Sequence, residues 1–98
     1  MKLRYSPRAH QDIRRIHDYI AQHNQGAATA VVRQIRATCE LLARYPGLGR
    51  ETDISAARVF PTARYPYLVY HRVKDDELVI IHVRDGRRDN PRERELQS

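Results

Sequence analysis

The chain has 98 residues, enough for one small domain with a modest core, and no apolar run in it approaches the length needed to span a bilayer. Hydrophobic residues make up 41% and charged residues 31%, a balance that folds in water and excludes a disordered polyelectrolyte. The formal net charge is +6, and every basic residue except Lys2 and Lys74 is Arg, which suits an acidic partner, nucleic acid or protein, or equally the codon bias of a GC-rich genome. Cys39 stands alone, which leaves no internal disulfide and no Cys-based zinc site and fits a reducing cytoplasm. Residues 1–5 carry no long apolar stretch, so a secretory leader is not expected.

In chain order, residues 1–5 alternate Leu3 and Tyr5 with Lys2 and Arg4 and predict a short strand. Ser6-Pro7 predicts a helix N-cap and first position. Ala9, Ile13, Ile16 and Ile20 then share one helical face, with Arg8, Asp12, Arg15 and Gln22 off it, to about His23. After Asn24-Gln25-Gly26, the stripe Ala28, Val32, Ile35, Cys39 and Leu42 predicts a second helix, ended by Tyr45-Pro46-Gly47. Residues 46–57 read as a loop, with Gly47 and Gly49 as helix termination. Three strands follow: Arg58–Phe60, cut by Pro61 and therefore an edge or a bend, then 67–73, then 78–84.

The link between the last two strands predicts an antiparallel hairpin. With Asp75-Asp76 at its centre, Val73 faces Leu78, His71 faces Ile80 and Val69 faces His82. One sheet face then carries Tyr67, Val69, His71, Val73, Leu78, Ile80, His82 and Arg84, and a one-residue change would swap the faces. Residues 86–98 are polar, contain Pro91 and predict a flexible tail. The expected fold is a single α+β domain over residues 1–98, ordered β-α-α-β-β-β, with a helical hairpin packed on a small, twisted, antiparallel-rich sheet.

Several ordered fragments carry a resemblance. They are Ser6-Pro7 with Ala9, Asp12-Ile13, Ile16 and Tyr19-Ile20, then Ala27-Ala28, then Leu42 through Arg50. They continue with Ala57-Arg58-Val59, Tyr67 through Tyr70, and Ile80 through Arg88. Together they resemble the RelE/ParE superfamily of toxins from type II toxin–antitoxin systems, over about residues 3–91. The resemblance implies growth arrest by one of two routes: RelE-like cleavage of messenger RNA in the ribosome, or ParE-like inhibition of DNA gyrase. It also implies a hetero-oligomer with a cognate antitoxin.

A metal-free ribonuclease needs an acid and a base around a positively charged phosphate site. The candidates here are Arg58, Arg64, His71, His82, Arg84 and Arg87, with Arg72 as a further source of charge. The equipment is thin: no Lys lies between residues 46 and 73, no aromatic residue follows Tyr70, and Asp85 precedes Gly86 where many relatives of this type carry His. His71 and His82 read more simply as strand histidines satisfied by hydrogen bonds, and no His/Cys/Asp/Glu cluster has metal-ligand spacing. The preferred reading is therefore the ParE-like branch, without chemistry or cofactor. Arg58, Arg64, Arg84, Arg87 and Arg88 then form a target-binding surface. Phe60, Tyr65 and Tyr67 are expected to be exposed and to bind an acidic antitoxin. The alternatives are a ribosome-dependent endoribonuclease and an inactive antitoxin-binding partner.

Overall fold

Ser6 starts the first helix as its sequence predicts: its Oγ accepts the Ala9 N–H at 3.1 Å, and Pro7 fills the first turn without leaving an orphaned donor. The computed structural model describes residues 1–87. They form β1 (Lys2–Tyr5), α1 (Pro7–Ala21), α2 (Gln25–Arg44), β2 (Arg50–Glu51), β3 (Arg58–Pro61), β4 (Tyr67–Lys74) and β5 (Glu77–Asp85). Asn24 caps α2 by accepting the Ala27 N–H at 2.9 Å, and α2 stops at Tyr45, before Pro46. The fold is α+β, as expected, but the sheet is mixed and five-stranded, in the order β1-β5-β4-β3-β2. β1 runs parallel to β5, and every other pairing is antiparallel.

The helical hairpin covers one face of this sheet. Ala9 and Ile13 of α1 and Val31, Ile35, Cys39 and Leu42 of α2 bury against Val69, Leu78, Ile80 and Val83, with Ile16, Ile20 and Val32 packed at the margin. Val31 is thus more deeply placed than Val32, the residue expected in the stripe. The opposite face is partly covered by the chain before β3: Ile54 and Ala57 fold back onto Val59 and Tyr70.

Three local expectations are corrected. Residues 46–57 are not all loop, because Arg50–Glu51 pairs with β3 and makes β2 the sheet edge; β3 is therefore not an edge strand. Gly49 does more than end a helix. Its φ is +97°, and a Cβ there would lie 2.5 Å from the Val59 carbonyl oxygen, so only glycine fits the turn into β2. The hairpin turn is centred on Asp75-Asp76, and His71 pairs with Ile80, as predicted. A bulge then intervenes, leaving Ile81 as the extra residue: Tyr70 pairs with His82 and Val69 with Val83. The bulge exchanges the faces beyond it. Val83 enters the helix-covered core, while His82 and Arg84 move to the opposite face with Tyr70 and Leu68. Of the predicted tail, only Gly86 and Arg87 lie within the described residues.

Candidate functional site

The bulge at Ile81 decides where His82 points. β1 pairs with β5 only as far as Ile80, so the rest of that strand's outer edge meets the start of α1. Ser6 closes the junction: its N–H donates to the Ile80 carbonyl at 2.9 Å and its hydroxyl to the Ile81 carbonyl at 3.2 Å. One turn further on, the Asp12 carboxylate takes the Val83 N–H at 3.0 Å, doing the work of a missing neighbour strand. The same oxygen accepts from His82 Nδ1 at 2.6 Å. Because a carboxylate only accepts, the imidazole proton is assigned to Nδ1. Asp12 and His82 are both more than nine-tenths buried, so Asp12, expected off the apolar face of α1, is nonetheless buried against β5.

With Nδ1 committed to Asp12, the ring turns Nε2 toward a cleft of about 450 Å³ between the start of α1, the residue 54–55 segment and the outer face of β4 and β5. Its lining includes Arg8, Arg72, Ser55, Ile54, Ile81 and His82. Neither Arg8 nor Arg72 makes an ion pair with a described residue, so both guanidinium groups are available to a ligand.

The other predicted residues do not converge on this cleft. His71 is only 1% exposed; its Nε2 lies 3.1 Å from the Leu48 carbonyl and its Nδ1 3.2 Å from the Val69 carbonyl. Burial is the main cause that holds its pKa below the usual histidine value. Arg58 donates to the Gly49 carbonyl at 3.0 Å, with Glu51 at 3.7 Å. His71 and Arg58 thus pin the loop between α2 and β2 from the helix-covered side of the sheet. Arg84 donates to the Tyr70 hydroxyl at 3.2 Å and lies over its ring. Arg87 is exposed and forms a two-point contact with Asp85, which raises its pKa chiefly through that hydrogen bonding. Arg64 is exposed on the β3–β4 connection, and Arg88 lies outside the described residues. Tyr67 is not the exposed aromatic expected: at 8% exposure it belongs to the main core, because its parity on β4 turns it toward the helices. Phe60 and Tyr65 are half-buried at the margin of the same core. Sequence reasoning missed Asp12 and Arg8, although Asp12 stands three residues after Ala9 and four before Ile16, on the inward side of the helix.

A helical hairpin laid on this sheet is a fold shared with a solved toxin–antitoxin structure. The chromosomal ParDE TA system from P. aeruginosa matches 87% of this chain and 95% of its own, with a TM-score of 0.77 and 25% identity. A candidate toxin of Sinorhizobium fredii (strain NBRC 101917 / NGR234), Y4kP, is 31% identical over 83 residues, covering 83% of this chain and 86% of its own. The family model described as the ParE toxin of the type II toxin–antitoxin system, parDE, matches residues 3–90. The chain belongs to this ParE toxin family. No helix among the described residues is long and apolar enough to cross a membrane.

Proposed function

We propose that this protein arrests bacterial growth by inhibiting DNA gyrase and that a cognate, acidic antitoxin of the ParD kind neutralises it in a hetero-oligomer. Family membership supports the toxin reading, and the kinship with a ParDE system supports the antitoxin. The observation that favours binding over nuclease chemistry is the dispersal of the nuclease candidates. Both ring nitrogens of His71 face carbonyls, Arg58 holds a loop, and Arg87 is held by Asp85. Arg64 and Arg84, with Arg87 and Arg88, remain the target-binding residues of this reading. Phe60 and Tyr65 are its antitoxin contacts, while Tyr67 contributes through the core beneath them. The +6 charge favours rapid capture of an acidic partner in the cytoplasm.

One observation favours the endoribonuclease reading instead: His82, braced by Asp12, opens onto a cleft lined by Arg8 and Arg72, neither of which makes an ion pair with a described residue. Induction of the chain in antitoxin-free cells, with thymidine and methionine incorporation followed together, separates the readings. The gyrase reading expects thymidine incorporation to fall first and the purified chain to inhibit DNA supercoiling. Early loss of methionine incorporation, with messages cut inside codons, would replace it with the ribonuclease reading. Unimpeded growth with tight antitoxin binding would leave only an inactive partner.

A further inference from the structure

We propose that the cleft beside the start of α1 is a binding site for a phosphate monoester, held by Arg8, Arg72 and the Asp12-braced His82. The inference is independent of which target the toxin acts on. Four features meet there. Arg8 and Arg72 line the cleft without a competing carboxylate among the described residues. The positive end of the 15-residue α1 opens onto it. Within that first turn, Ser6 takes the Ala9 and His10 N–H groups and Pro7 has none, which leaves the Arg8 N–H as a remaining donor. His82 lies in the lining with its side chain nine-tenths buried; Nδ1 is engaged by Asp12, and Nε2 has no hydrogen-bond partner among the described residues. This ring edge is reached by solvent and has no partner among the described residues; set beside two arginines that make no ion pair with a described residue, it offers a place for a ligand.

The imidazole narrows the chemistry. In the tautomer that Asp12 selects, Nε2 carries a lone pair and requires a donor. A carboxylate or a phosphodiester offers only acceptor oxygens, and so meets Nε2 favourably only once the ring is an imidazolium. A phosphate monoester, whose second pKa is about 6, presents an O–H as readily as an O⁻ near neutrality. It therefore satisfies Nε2 in either protonation state while its remaining oxygens accept from the guanidinium groups. The cleft volume, about 450 Å³, accommodates such a group with a small organic substituent against Ile54 and Ile81.

The test is titration of the full chain with inorganic phosphate, followed by the His82 ring resonances and by calorimetry, with dimethyl phosphate and acetate as controls. The expected result is saturable binding of phosphate that moves the His82 signals, with much weaker binding of both controls. Arg8→Ala and Arg72→Ala, which remove surface side chains and leave the core intact, are each expected to weaken binding by about tenfold. His82→Gln is expected to weaken it as well, but Asp12 loses its partner in that variant, so the arginine variants carry the test. Absence of saturable binding would overturn the proposal. So would dimethyl phosphate or acetate binding as tightly as phosphate, or phosphate binding that survives the loss of both arginines.

Discussion

Asp12 has two partners on one oxygen, and the energetics of the α1–β5 junction turn on it. Replacing it with Ala removes the acceptor of the Val83 N–H and the His82 Nδ1–H at a largely buried junction, so Asp12→Ala is expected to cost about 2–4 kcal/mol. Asp12→Asn keeps an acceptor and should cost roughly half of that, which equilibrium unfolding in urea would resolve. His71 makes a different prediction. Its folded-state pKa is lowered by burial, so the unfolded chain binds the proton more tightly. Its contribution is fully present above the unfolded value of about 6.5 and is lost as pH falls from there toward the folded value. Stability measured at descending pH should therefore drop below about pH 6.5, and His71→Gln, which retains a donor for the Leu48 carbonyl, should drop less steeply. An unchanged slope in that variant would remove His71 from the account.

At the scale of elements, the sheet is shaped by two turns and one bulge. Gly49 enters β2 with a φ open to few residues, and its missing Cβ leaves room for the Val59 carbonyl. Gly49→Ala should destabilise the chain by about 2 kcal/mol or more, with earliest loss of amide protection in β2 and β3. The β4–β5 turn has the opposite character. Asp75 and Asp76 both adopt left-handed conformations, φ 52° and 60°, which a two-residue hairpin demands and which side chains resist. Asp76→Gly should raise the midpoint of thermal unfolding, by about 0.5–1 kcal/mol of stability. The short loop and its polar centre made this hairpin and its near register legible from sequence. The bulge was not legible. Tyr70, Ile81 and His82 belong to runs that alternate acceptably in either register, and both faces of the sheet offer partly apolar cover.

Over the whole molecule, the core that joins both helices to the sheet also contains the only thiol. Cys39 is fully buried, and burial pushes its pKa up to about 11, so it is neither exposed nor ionised in the folded chain. Its reaction with an alkylating reagent should proceed only through opening of the helix–sheet core. The labelling rate should rise as global stability falls across denaturant, and rise in step with the stability lost in the Asp12 and Gly49 variants. Labelling at an equal rate in all of them would mean that α2 opens locally around Cys39.

The sequence alone determined the two helices, their caps, the last hairpin and the family resemblance, because each is written in local spacing: apolar residues every three or four positions, Ser6 and Asn24 before helices, two Asp residues between strands. Only the tertiary structure decided that β1 joins β5 in parallel, that Arg50–Glu51 forms the sheet edge, and that Tyr67 lies inside. It alone brought Asp12 to His82 across 70 positions and gathered Arg8 and Arg72 around one cleft. The physical reason is the same in each case. A strand or a helix reports its own periodicity, but which unsatisfied edge or charge it meets is settled by the long-range pairing of the sheet, and one extra residue at Ile81 was enough to reassign a face.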